Sequence, residues 1–138
     1  MKILIINGVN LSALGTREVN VYGNIRFEDY LDEWRRRYSG HTIDYIQSDR
    51  MEDIVAHILN SQNYDGIILN PGAYTHTAIV LTDAVKSVTT PVVEVHISNL
   101  FAREQYRRHS QLSGCCSGFI AGFGLQGYSL AIAHFIQN

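Results

Sequence analysis

Short apolar runs take turns along this chain with segments whose apolar residues recur every three to four positions. Residues 3–6, Ile-Leu-Ile-Ile, read as a buried strand. Phe27, Tyr30, Leu31, Trp34 and Tyr38 then return at helical spacing with charges between them, and Ser39-Gly40 closes that first helix. Residues 42–47 alternate as a strand does, and Ile54, Val55, Ile58 and Leu59 mark one face of a second helix. Residues 66–69 form a third apolar run, followed by a helical stripe of Ala78, Leu81, Ala84, Val85 and Val88. Pro91 introduces a fourth strand over 92–96, residues 119–121 read as a fifth, and residues 130–136 as a closing helix.

Strands alternating with helices predict an α/β fold: a five-stranded parallel sheet covered on both faces, because right-handed crossovers place helices on each side. We expect the flavodoxin-like strand order 2-1-3-4-5. In such sheets ligands bind beyond the carboxyl ends of the strands. Polar residues gather there. Strand one runs into Asn7-Gly8-Val9-Asn10-Leu11 and a long loop with Gly15-Thr16-Arg17-Glu18 and Tyr22-Gly23. Strand three runs into Asn70-Pro71-Gly72-Ala73-Tyr74-Thr75-His76-Thr77, and strand four ends in Glu94-Val95-His96-Ile97-Ser98-Asn99.

A length of 138 residues suits one domain, and 46% apolar against 17% charged residues favours a packed core over disorder. The net charge of −2 gives no electrostatic reason to expect nucleic acid or an anionic membrane. Arg35, Arg36 and Arg37 sit among Asp29, Asp32 and Glu33, which reads as a solvated helix face. Cys115 and Cys116 are adjacent, a spacing that fits neither a routine disulfide nor a zinc knuckle and favours a reducing compartment. The first apolar run is too short for a signal-peptide core, and no stretch reaches bilayer-spanning length, so a cytoplasmic protein is expected. His41, His57, His109 and His134 show no ligand spacing, and His76 with His96 lacks a third ligand, so no metal is expected.

Local readings of the polar residues are modest. Asn70 can start a Pro71-Gly72 turn, Ser98 can cap a helix, and Thr75 and Thr77 read as N-capping residues around an incidental histidine. Period-two alternation puts Glu94 on the same side of strand four as His96, as either a satisfied pair or a functional one. Tyr22 can pack its ring against the loop, Arg17 can be solvated, and Asn10 can support a turn at Gly8.

Taken together, N-G-x-N-L, G-T-R-E, Y-G, N-P-G-A-Y-T-H-T, E-V-H-I-S-N and A-R-E-x-[YF]-R-x-H-S resemble, in order and over nearly the whole chain, the type II dehydroquinase series. The resemblance implies dehydration of 3-dehydroquinate to 3-dehydroshikimate by anti elimination through an enolate, in the shikimate pathway or in quinate breakdown, without a cofactor. It implies Tyr22 as base, His96 as acid with Glu94 orienting and charging its ring, Arg17 as essential arginine, and Asn10 holding a water near the enolate. It further implies that Asn70, His76 and Arg107 bind substrate hydroxyls, while Ile97 through its N–H and Ser98 through its hydroxyl hold the carboxylate. Asp83 would reach a neighbouring subunit's site in a homododecamer built of trimers. A phenol that ordinarily ionises near 10 needs a cation beside it. At about 4–5 Å, in an effective dielectric of about 20, one guanidinium contributes roughly 3–4 kcal/mol, so Arg17, with Arg103 as a second, is sufficient.

Val9 and Val19 stand where the family commonly has proline, which predicts a looser loop over the substrate and weaker binding. Phe101 replaces a frequent histidine, and Gly114-Cys115-Cys116 a proline-containing stretch, leaving thiols open to oxidation if exposed. Two other readings remain at this stage: a flavodoxin-like binding or receiver module, and a non-catalytic dehydroquinate binder. Against the first, the loop after strand one carries no glycine-rich phosphate cradle and strand one is not followed by an acidic pair.

Overall fold

The apolar runs become strands β1 (Lys2–Asn7), β2 (Thr42–Gln47), β3 (Gly66–Asn70), β4 (Val92–His96) and β5 (Gly118–Ala121) in a computed structural model that describes residues 1–9 and 26–137. They form one sheet in the order β2-β1-β3-β4-β5, every neighbouring pair parallel, as expected of the flavodoxin-like α/β arrangement. Every residue of β3 and β4 is buried, which explains why their sequences read as apolar runs, whereas the edge strand β5 is only partly covered.

Helices α1 (Phe27–Arg37) and α4 (Gln126–Gln137) pack on one face of the sheet; α2 (Met51–Leu59) and α3 (Ile79–Lys86) cover the other. The strand pleat divides the core. Ile3, Ile5, Ile68, Val93 and Val95 meet Leu31, Trp34, Tyr128 and Phe135, while Leu4, Ile6, Ile67, Leu69 and Val92 meet Ile54, Ile58, Leu81 and Val85. Helix α1 places Glu28 and Asp29 in its first turn and Arg35, Arg36 and Arg37, all exposed, in its last, which complements the helix dipole. The basic run is a solvated helix end.

One helix start and one pair of caps depart from the sequence pattern by more than a residue or two. Helix α4 begins at Gln126 rather than at 130, because Gly127 lets the helix lie against Val95 and Ile120 and Tyr128 then starts its buried stripe. Thr75 and Thr77 do not cap α3, whose N-cap is Ala78 without a side-chain bond; residues Gly72–His76 instead form a 3-10 turn that buries Thr75. Among the described residues no helix is long and apolar enough to cross a membrane.

Candidate active site

Strand β4 carries Glu94 and His96 on one face, and the pleat brings His96 Nε2 into a hydrogen bond with Glu94 Oε2. Glu94 is fully buried, so its charge depends on donors from the protein. Thr75 Oγ1 donates to Oε2 at 2.8 Å and Ser110 Oγ to Oε1 at 2.9 Å. Ser110 Oγ also accepts from the backbone N–H groups of Leu112 (3.2 Å) and Ser113 (3.1 Å). The ring of Phe119, on β5, lies 5.6 Å from that of His96, centre to centre.

The loops after β3 and β4 are laced together beside this pair. Gln111 N donates to Thr75 O at 2.7 Å, and Gln111 Nε2 to His76 O at 3.3 Å. His76 Nδ1 lies 2.7 Å from His109 O; a carbonyl only accepts, so Nδ1 carries a proton and a neutral His76 ring keeps Nε2 as an acceptor.

At the ends of β1 and β3, two buried amides share one hydroxyl. Tyr128 OH donates to Asn7 Oδ1 at 2.6 Å and accepts from Asn70 Nδ2 at 2.8 Å, and Asn7 Nδ2 donates to Tyr45 OH at 3.3 Å. Asn70 Oδ1 accepts from Gly72 N at 3.1 Å, the turn expected of an Asn-Pro-Gly sequence. Backbones approach closely here: Gly8 N donates to Asn70 O at 2.7 Å, a Cβ on Gly8 would come within 2.6 Å of Pro71 O, and Gly72 has φ +64°.

After β4, Ile97 is buried and Ser98 partly so, and Arg103 Nη1 donates to Ser98 Oγ at 3.4 Å. Ser98 does not cap the turn that follows. Asn99 caps the 3-10 turn Leu100–Ala102, its Oδ1 accepting from Phe101 N at 3.1 Å, because Asn99 is the residue just before the turn. Arg107 Nε lies 2.9 Å from Glu104 Oε2, and its guanidinium stacks over Tyr106. Asp83 is exposed on α3, and no described bond joins it to His96, Asn70 or Ser98. Asn10, Arg17, Val19 and Tyr22 lie outside the described residues. Among the described residues no cluster of three or more His, Cys, Asp or Glu side chains is placed to hold a metal.

The structure thus joins His96 to Glu94 and Ser98 to Arg103, with Asn70 and His76 on the same carboxyl edge of the sheet. Sequence reasoning passed over Ser110, Asn7 and Tyr128 as site components, and read Thr75 as a cap. Their partners are 16 to 121 residues away, and no local spacing signals such contacts.

Comparison with known proteins agrees with this fold. The family described as Dehydroquinase class II matches residues 1–136. A 3-dehydroquinate dehydratase of Caldicellulosiruptor bescii is 42% identical over 135 residues, covering 95% of this chain and 93% of the relative. A type II dehydroquinase structure from Butyrivibrio crossotus superposes with a TM-score of 0.92 at 40% identity, covering 98% of this chain and 97% of that one. The type II dehydroquinase from Propionibacterium acnes gives 0.93 at 36% identity, with coverage of 99% and 97%. The chain belongs to the class II dehydroquinase family.

Proposed function

We propose that this protein dehydrates 3-dehydroquinate to 3-dehydroshikimate by anti elimination through an enolate. The observation that carries the reading is the buried Glu94 carboxylate bonded to His96 at the carboxyl end of β4, where a parallel sheet presents ligands. Losing water β to a ketone needs a base for the proton beside the carbonyl, stabilisation of the enolate, and an acid for the departing hydroxyl. In this reading the Tyr22 phenolate, ionised beside Arg17, takes the proton, and Asn10 holds the water that meets the enolate oxygen. As the C–O bond breaks, His96 protonates the hydroxyl and it leaves as water. The proton on Tyr22 and the vacancy on His96 are then exchanged through solvent, so the net change is loss of one water.

Glu94 occupies His96 Nε2, so Nδ1 is the nitrogen that faces the leaving group. The Ile97 N–H and Ser98 hydroxyl, next to Arg103, hold the substrate carboxylate. Asn70, His76 and Arg107 take its hydroxyls, with His76 Nε2 available as an acceptor. Asp83 serves a neighbouring subunit's site in a homododecamer of trimers, consistent with its exposure on α3. The protein acts in the cytoplasm, in the shikimate pathway or in quinate breakdown.

An ultraviolet assay for the conjugated enone product, run on 3-dehydroquinate, tests the activity; no absorbance gain at micromolar enzyme would sink it. Removing the acid, His96→Ala, should lower kcat by about 10²–10⁴-fold with a far smaller change in substrate affinity. Arg17→Ala should move the pH profile of kcat, and an unchanged rate and profile would remove Arg17 from the mechanism. Activity that is lost to a chelator would contradict the metal-free scheme.

A further inference from the structure

We propose that Thr75 and Ser110 are positioning residues of this site: their hydroxyls hold both oxygens of Glu94 as acceptors, keep a proton on His96 Nε2, and thereby set how readily the ring releases the proton it carries on Nδ1. The inference rests on the reading of His96 as the acid.

Counting protons leads to this assignment. Each hydroxyl has one proton to give, and Thr75 Oγ1 and Ser110 Oγ also lie 3.1 Å from each other. Ser110 Oγ accepts from two backbone N–H groups, Leu112 and Ser113, which occupies both of its lone pairs. It therefore cannot also accept from Thr75. The Thr75 proton is left with Glu94 Oε2 at 2.8 Å, and the Ser110 proton goes to Oε1 at 2.9 Å, where it keeps a fully buried oxygen satisfied. Two donated hydroxyl bonds stabilise the ionised carboxylate, which can only accept, and with Glu94 in that form Nε2 is the donor in their shared bond.

Two different loops supply the hydroxyls, and the Gln111 N to Thr75 O bond fixes one loop to the other. The carboxylate is therefore held from both sides without depending on the substrate. Each hydroxyl draws charge away from the oxygen that faces the imidazole. Taking one away concentrates that charge, and the charged ring then keeps its proton more firmly and becomes a slower acid.

Other titratable groups near the pair stay the same when a hydroxyl is removed. The segment after β4 brings Cys116, whose thiol senses the Glu94 charge, with Cys115 beside it, and contributes His109 next to His76 from the 3-10 turn. Arg103, Arg107 and Arg108 follow β4, α3 carries Asp83 and Lys86 at exposed positions, α4 contributes Tyr128 and His134 on the opposite face, and β5 offers Phe119, which is uncharged.

The test compares Thr75→Val, which removes the hydroxyl and keeps the shape, with Thr75→Ser, which keeps the hydroxyl, in the full chain acting on 3-dehydroquinate. Thr75→Val should lower kcat at neutral pH by about 10-fold, move the alkaline fall of kcat to higher pH by about one unit, and leave KM within about two-fold. Thr75→Ser should restore the wild-type profile. Ser110→Ala should shift the profile in the same direction, and it carries the comparison if Thr75→Val does not fold. A folded variant whose alkaline limb stays in place, or moves down, overturns the inference. His96→Ala separates the two levels: if it keeps wild-type kcat, the reading of His96 as acid fails, whereas an inactive His96→Ala beside an unshifted Thr75→Val rejects only the positioning role.

Discussion

Tyr128 on the last helix and Asn70 at the end of β3 are 58 residues apart in sequence, yet a buried 2.8 Å hydrogen bond joins their side chains. The Tyr128 proton goes to Asn7 Oδ1, so its oxygen must accept from Asn70 Nδ2, and Gly72 N donates to Asn70 Oδ1. Both faces of the Asn70 amide are thereby oriented before any ligand arrives. Among the described residues, its second N–H and the second lone pair of Oδ1 take no further bond. Tyr128→Phe should leave two buried amides short of a partner and cost about 1–3 kcal/mol. A lower urea midpoint at unchanged slope checks this; an unchanged midpoint would show that the network adds nothing to stability.

Gly8 and Gly72 interlock where β1 and β3 end. A Cβ on Gly8 would meet Pro71 backbone atoms at 2.6–2.9 Å, and one on Gly72 would meet Val9 O at 2.6 Å from a left-handed backbone. In each case the obstacle is main chain, which cannot rotate away as a side chain does. Gly8→Ala and Gly72→Ala should each destabilise by about 2 kcal/mol or more, whereas Gly40→Ala, with nothing within 4 Å of its Cβ, should change little. Thermal melts of the three variants side by side decide it.

Residues 42–47 and 92–96 were delimited by sequence because alternation and β-branched runs mark strands directly. The Glu94–His96 contact was equally legible, since a pleat of period two puts such residues on one face. Thr75 was misread because a threonine before a helix resembles a cap, and only the fold brings Glu94 to its hydroxyl. Ser110 and Tyr128 were opaque for the same reason: their partners come from other strands, at 16 and 121 residues. Gln126 and Gly127 concealed the start of α4 because neither is apolar, and glycine is a poor helix former whose value here is close packing on Val95.

Cys116, open to oxidation only if exposed, is partly buried in the fold. Burial pushes its thiol up to about 12, with the Glu94 charge and the Cys115 thiol adding to the rise. Little thiolate is present near pH 8, so alkylation by iodoacetamide should be slow in the folded protein and rapid once it unfolds. The sign of the linked stability follows. The raised value stabilises the fold fully below pH 9.0, the unperturbed thiol value, and that contribution is lost as pH climbs towards about 12. Denaturation midpoints from pH 8 to 11 should fall faster for the wild type than for Cys116→Ala, and parallel curves would contradict the shift.

Gly66 at the start of β3 leaves room for a single side chain. A Cβ there would lie 2.5–2.7 Å from three carbons of the Phe135 ring, which α4 buries against the sheet. Unlike the main chain around Gly8, this obstacle is removable. Gly66→Ala alone overpacks the contact and should cost about 1–3 kcal/mol, while Phe135→Leu alone loses buried aromatic surface and also destabilises. Combined, the smaller ring-less side chain accommodates the new methyl, so the double variant should be more stable than the sum of the two losses predicts by about 1 kcal/mol. A double-mutant cycle from urea midpoints measures that coupling, and strict additivity would mean that α4 shifts as a whole to relieve the clash.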